Sequence, residues 1–534
     1  AIRSDENHRE GYDSGHRNLT VHLPFREAGV DHSGVMELLD GAGVGLPKYY
    51  EWRSRSGCTF CFFQQKIEWV RLKQQHPERF EEAKMYEKTA LEHGSPFTWS
   101  DRESLTELEQ PERIEAIERD FERRKEKSAS RGRINPLRQG VELPAGVEME
   151  ERCPMKSPAP IYADFASSAP PLPEVVDAMM EWLGGSHANP HADHLPGHRA
   201  ARAVEDARQQ IADLIEADPD GVVFTSGATE SNNLALKGLA GSCGEGLLFS
   251  PLDHSSIVEV ARYLGQSGSC RVRQLKHDAH GSVSAGEVEN ALAASQGRVL
   301  VALAHGNNEI GTIQPLTEIG TAVSDRGHLL HLDASQTAAH IGISVQDMHV
   351  TTLSISGHKL YGPAGIGVLW VDPSHQADLL PIFHGGGQQA GIRSGTVPTY
   401  LAVGLGVAAR LARDRMEQAR NHLQAMASQF IAALAGRGLA PVVIGHPSDR
   451  LPGHLSVRFP GVAAPDLLAR LLPLLAVSTG AACSAGELRA SRVLRELGLD
   501  EETASEGLRI SFGRTTTSKE VALAAEYMSD AVRE

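Results

Sequence analysis

Residues 351–371, TTLSISGHKLYGPAGIGVLWV, decide how this chain is read. Two apolar runs, TTLSIS and GIGVLWV, have the Val, Ile and Leu content of strands buried on both faces, and a turn rich in Gly and Pro parts them. Lys359 stands just past the first run. A lysine forced against a sheet edge among small, apolar residues gives up its proton more readily than one in water, which suits an amine nucleophile. Taken alone, a structural ion pair explains it equally well.

Working outward, GVVFTS (221–226), RVLVALAH (298–305) and HLLHLDAS (328–335) repeat the buried-strand pattern. Helical segments lie between several of them. In HRAARAVEDARQQIADLIEA (198–217), Ala203, Val204, Ala207, Ile211, Leu214 and Ile215 share one face. Alternation of this kind predicts an α/β fold with a large, mostly parallel sheet covered on both sides. Past residue 405 helices dominate, with strand-like runs such as HLSVRF, so a smaller α+β domain is expected over 406–534, after a large domain over 161–405.

Ligands of open parallel sheets bind beyond the carboxyl ends of the strands. After GVVF comes TSGATESNNLALKG (225–238), a glycine turn opening a helix with Ala228, Thr229 and Glu230 in its first turn. Free N–H groups and hydroxyls there make a phosphate cradle, although an ordinary capped helix looks the same. After HLLHL comes Asp333, an acid that burial makes costly unless it is paired or hydrogen bonded. A phosphate cradle, an acid and a lysine, each at a strand's end, are what pyridoxal phosphate requires.

The stretches YADFASSAP (162–170), ANPHADHLPGH (188–198), FTSGATESNNLALKG, DHSSI (253–257), HGNNEIGTIQP (305–315), HLDASQ, SISGHKLYGPAGIGVLW, HGGGQQAGIRSGTVP (384–398), STGAACSAG (478–486) and LRISFGRTTT (508–517) occur in this order. With them, residues 161 to about 530 resemble a cysteine desulfurase of pyridoxal-phosphate fold type I. The resemblance implies that Lys359 binds the cofactor covalently, that Asp333 meets its pyridine nitrogen, and that Gln336 and Asn308 hydrogen-bond the phenolic oxygen. It implies that His254 stacks on the ring and moves protons, and that Ala228, Thr229, Ser356 and His358 hold the phosphate. Thr396 matches the threonine that reaches the partner subunit's phosphate in a homodimer, and Arg509 the clamp on the substrate carboxylate. Cys483 matches the nucleophile that takes sulfur from L-cysteine as a persulfide while L-alanine leaves. Its loop of Ser, Thr, Gly and Ala has few anchors, which suits a thiol that must swing out to an acceptor; a tight turn around a small buried cysteine is the plainer explanation of the composition alone. The chain departs from the family pattern in the serines of YADFASSAP, the extra histidines of HANPHADHLPGH and the residues just after Cys483.

Ahead of this lie a mostly helical segment, 1–127, and a linker rich in Pro, Gly and Ser, 128–160. In PERIEAIERDFERRKEK (111–127), Ile114, Ile117 and Phe121 have helical spacing and the charges read as a solvated face. The stretches AIRSDENHREGY and RSRSGCTFCFFQ resemble the C-terminal part of a sulfurtransferase related to phosphoadenosine-phosphosulfate reductases. That family's nucleotide loop does not occur in these residues, so either an upstream part is lacking or the segment is a docking module. Cys58 and Cys61 form a Cys-x-x-Cys pair that can bind zinc or an iron–sulfur cluster, act as a redox pair, or merely pack in an aromatic-rich core. The expected partners are L-cysteine, a second copy of the chain, and a sulfur acceptor that is either another protein or the front segment. The sulfur is then destined for iron–sulfur assembly or for thiolation of a nucleic acid or a small molecule, DNA phosphorothioation being one such route. A selenocysteine lyase or other β-lyase of the same fold is the enzymatic alternative, and a sulfur-relay scaffold the non-enzymatic one.

Composition bounds these expectations. The 534 residues are 41% apolar and 22% charged, those of an ordinary globular protein with about two to four domains. A net charge of −16 argues against a broadly polyanion-binding surface. Of the six cysteines four are scattered and only Cys58 and Cys61 form a close pair, which makes no disulfide framework; a polar start makes no secretory signal, and the most apolar stretch, Leu467 to Val477, is broken by Arg470 and Pro473. A cytoplasmic location is therefore expected. The chain starts at Ala1 and not at Met, as a processed product or a fragment does.

Overall fold

The computed structural model describes residues 66–75, 77–78, 80–81, 83–84, 104–119 and 160–534, with 187, 242, 244–245 and 480–489 left out. Cys58, Cys61, Cys483 and nearly all of the expected linker lie outside the described residues. The chain divides into two units, Ala1–Glu142 and Leu143–Glu534.

In the first unit, the helices Lys66–Gln75 and Leu105–Leu108 enclose a small core of Trp69, Val70, Phe80, Leu105, Leu108 and Ile117. Ser104 starts the second helix by accepting the Glu107 N–H while Glu107 returns a bond to the Ser104 backbone, so two orphan donors are satisfied reciprocally. Glu109 accepts from Lys73 at 3.1 Å and from Lys84 at 2.6 Å.

In the second unit the strands in chain order are β1 (Ile161–Tyr162), β2 (Val222–Thr225), β3 (Gly246–Phe249), β4 (Val272–Gln274), β5 (Val299–Ala304), β6 (Leu329–Asp333), β7 (Thr352–Ser356), β8 (Gly367–Val371), β9 (Val442–Ile444), β10 (His454–Arg458), β11 (Leu475–Ala476) and β12 (Gly507–Ser511). The main sheet has the order β2-β8-β7-β6-β5-β3-β4. It is parallel except for β8, which runs antiparallel to both β2 and β7. Every residue of β2, β3, β5, β6, β7 and β8 is buried, as strands covered on both faces must be. This is the α/β architecture of pyridoxal-phosphate fold type I.

The helix Leu195–Leu214 shows why the covering layers form. Val204, Ala207, Ile211 and Leu214 are buried along one face, and the helix lies against Thr399–Asp414. Its first turn is capped by His194, whose Nδ1 accepts the Gly197 N–H at 3.0 Å, which gives one of the extra histidines a structural task. A second core, with Leu423, Phe430, Val457, Leu467, Ile510 and Met528, lies between the antiparallel sheet β9-β10-β12 and the helices Met416–Gly436, Ala464–Leu471 and Ser518–Arg533. Leu467 to Val477 is resolved into one of these helices and β11, and among the described residues no helix is long and apolar enough to cross a membrane.

Candidate active site

The parallel strands end together, so the residues that follow them face one space. Gly227 to Thr229 follow β2, His254 follows β3, Asn308 follows β5, Asp333 closes β6, and Lys359 follows β7. With Arg509 of β12 they line a cavity of about 410 Å³, within the range of small-molecule sites.

Backbone geometry shapes its floor. Gly227 has φ +151° and precedes the helix Ala228–Ala240, leaving the first N–H groups of that helix without a side-chain cap. A Cβ on Gly367 would lie 2.6 Å from the Gly227 Cα and 2.5 Å from the Ile355 carbonyl oxygen, so only glycine permits this approach of the two strands. Thr229, Ser356 and His358 line the cavity beside this helix start. Burial, with Lys359 alongside, lowers the His358 pKa to about 4, so this side chain is a neutral hydrogen-bonding group.

Asp333 is 6% exposed. One of its oxygens accepts the Ser335 N–H at 2.9 Å and the Ser335 hydroxyl at 2.5 Å, and the other accepts from Asn232 Nδ2 at 2.8 Å. Lys359 Nζ donates to the Ala166 carbonyl, which also accepts from Gln336 Nε2 at 3.0 Å. His254 caps the helix Ser255–Gln266, accepting the Ser256 N–H at Nδ1. Its pKa is lowered, first by burial and further by Lys359 and Arg492, against the opposing pull of Asp333.

Arg509 is 3% exposed. Its Nη1 donates to the Asn308 carbonyl at 2.9 Å, and its Nη2 donates to Asp164 Oδ1 at 2.7 Å and to the Ser167 hydroxyl. Its Nε is buried with no hydrogen-bond partner, one donor left over on a guanidinium that lines the cavity.

Ala228, Thr229, His254, Asn308 and Asp333 thus meet at one site with Gln336, Ser356, His358, Lys359 and Arg509. Thr396 is exposed and is not among the residues lining this cavity. Sequence reasoning assigned nothing to Asp164, Ser167, Asn232 or Ser256. Asp164 and Ser167 sit within YADFASSAP and Asn232 within TSGATESNNLALKG, but their partners come from distant elements.

A family model described as aminotransferase class-V matches residues 161–523. Cysteine desulfurase IscS of Vibrio campbellii (strain ATCC BAA-1116) is 40% identical over 380 residues, 70% of this chain and 93% of its own. The mitosomal cysteine desulfurase of Trachipleistophora hominis is 39% identical over 390 residues, 71% of this chain and 87% of its own. A solved structure titled "SspA in complex with cysteine" is 35% identical, with a TM-score of 0.59 over 67% of this chain and 99% of its own.

Proposed function

The chain belongs to the aminotransferase class-V family as a cysteine desulfurase, and from that premise we propose that the cavity receives pyridoxal phosphate and L-cysteine together and that the sulfur leaves on Cys483. The observation that carries the proposal is the convergence of Lys359, Asp333 and Arg509 on one cavity from β7, β6 and β12. Alternatives of the same fold, a selenocysteine lyase above all, find no support in the names of these relatives.

The residues present fit the cofactor. The uncapped helix start at Ala228 with Thr229, Ser226 and Ser356 offers donors for a phosphate, and the buried Asp333 carboxylate offers an acceptor for a pyridinium N–H. Bound there, pyridoxal phosphate supplies the electron sink that weakens the bonds at the substrate's Cα. Lys359 would anchor it, and Asn308 and Gln336, which line the same cavity, would meet its phenolic oxygen. Arg509, held by Asp164 and the Asn308 carbonyl, orients the substrate carboxylate. The Cys483 thiolate would then attack the substrate sulfur: an S–S bond forms on Cys483, the C–S bond breaks with its electron pair left on the substrate's Cβ, and Cβ takes up a proton to become the methyl group of L-alanine. Thr396, exposed on its own chain, is assigned to the phosphate site of a second copy in a homodimer.

The front segment, by its likeness to a sulfurtransferase, is assigned the receipt or direction of this sulfur, since fusion raises the local concentration of acceptor. Replacing Cys58 and Cys61 together should leave alanine formation intact and abolish sulfur delivery. Survival of delivery in the double variant would refute that assignment. The desulfurase itself is tested by visible spectra before and after L-cysteine, with alanine assayed beside Lys359→Ala and Cys483→Ala. Spectral change with alanine formed only when both residues are intact is the expected result; turnover indifferent to Cys483 would overturn it.

A further inference from the structure

A chain of buried hydrogen bonds runs behind the cavity, and its protons can be assigned from chemistry alone. Asn232 is fully buried. Its Nδ2 lies 2.8 Å from Asp333 Oδ2 and 2.7 Å from Ser256 Oγ. Its Oδ1 lies 3.0 Å from His331 Nε2, whose other nitrogen is 2.9 Å from the Thr352 hydroxyl. The carboxylate requires a donor, so the Asn232 amide nitrogen faces Asp333 and Ser256, and His331 supplies the proton to Oδ1.

Asn232 therefore spends one N–H on Asp333 and the other on Ser256. Having accepted that bond, Ser256 Oγ turns its own proton toward His254 Nδ1, 2.8 Å away. The Ser256 backbone N–H reaches the same Nδ1 at 3.1 Å. Two donors converge on one ring nitrogen, which must be the bare one.

We infer that Asn232 and Ser256 are positioning residues that keep the ring proton of His254 at Nε2, so that His254 meets cofactor and substrate as a hydrogen-bond donor and not as the base that takes a proton. The inference rests on the desulfurase reading for its mechanistic meaning, while its geometry rests on the hydrogen bonds of this chain. Burial, Lys359 and Arg492 favour the neutral ring, and Asp333 alone among these groups favours the charged one. Proton removal from the substrate then falls to another group on the cavity wall, and Lys359 is the amine placed there.

The test is a long-range proton–nitrogen correlation spectrum of holoenzyme labelled with ¹⁵N-histidine, the His254 signals being identified by their loss in His254→Gln. The expected pattern is a bare Nδ1 and a protonated Nε2. In Ser256→Ala the Nδ1 resonance should move as one donor is lost, and kcat should fall about threefold to tenfold with KM unchanged, as expected for one hydrogen bond. Ser256→Thr should restore both. A wild-type spectrum with Nδ1 protonated overturns the inference, as does a Ser256→Ala enzyme with unmoved resonances and rate. Should Ser256→Ala not fold, the wild-type spectrum and Ser256→Thr still decide. The tautomer is read without turnover. Absent alanine formation beside a protonated Nε2 would therefore defeat the desulfurase reading alone, and full turnover beside a protonated Nδ1 would defeat this inference alone.

Discussion

Arg509 carries a charge that is almost wholly buried, and Asp164 is the carboxylate that faces it at 2.7 Å. Removing Asp164 leaves that guanidinium uncompensated, a change that costs about 3–5 kcal/mol where buried pairs are broken. Asp164→Ala should therefore lower the denaturant midpoint and raise the KM for L-cysteine, as measured by equilibrium unfolding and steady-state assay. An unchanged midpoint would show that the pair does not hold the clamp. Asp333 and Lys359 were legible as candidates because each stands at or just past a strand's end, whereas Arg509, in the middle of β12, was picked out only through the family resemblance. Asp164 and Asn232 were not legible, since the contacts that give them meaning span 345 and 101 residues. No local pattern marks a partner at such a distance.

At the scale of elements, the helix Ala228–Ala240 is tied to the loop that carries Thr396. Arg393 makes two bonds to Glu230, at 2.8 and 3.2 Å, while the same carboxylate accepts the Ser226 N–H at 2.7 Å. Burial works to raise the Glu230 pKa, but the bonds to Arg393 and Ser226 outweigh it and leave the value lowered. Glu230→Gln keeps the shape and removes the charge. It should weaken cofactor retention several-fold, measured by dialysis and absorbance, through the turn at Gly227 that Glu230 braces; retention equal to wild type would separate this pair from the site. The strands that carry this scaffold were legible where Val, Ile and Leu run for five or six residues, as in β5, β6, β7 and β8. β4, Val-Arg-Gln, escaped notice because it carries a single apolar residue, and the four-residue β3 was not picked out either. The reversed direction of β8 was not legible either: burial on both faces writes the same apolar run for parallel and antiparallel strands.

For the whole molecule, buried titratable groups set how stability varies with pH. Burial above all lowers the pKa of His305 and His331 to about 4 and of His340 and His454 to about 3. Their folded values lie below the ordinary 6.5, so the stability they provide is complete above 6.5 and is lost as pH falls toward 4 and 3. Asp253 is shifted the other way, to about 8 by burial, and its contribution is lost as pH rises from about 4 to 8. Each group changes stability by up to about 1.4 kcal/mol per pH unit within its window. Together they place the greatest stability near neutrality. Urea midpoints should fall steeply from pH 6.5 to 5 and gently from 6.5 to 8; a midpoint flat between 5 and 6.5 would mean that these histidines are not buried as described.

The central claim joins a cavity built at one sheet edge to a thiol, Cys483, that lies outside the described residues. It is tested most directly by treating the holoenzyme with L-cysteine under anaerobic conditions and measuring the mass of the peptide that contains Cys483. A gain of one sulfur atom on that peptide, reversed by reductant and missing in Lys359→Ala, is the predicted result. Alanine released while the Cys483 peptide keeps its original mass would contradict the account.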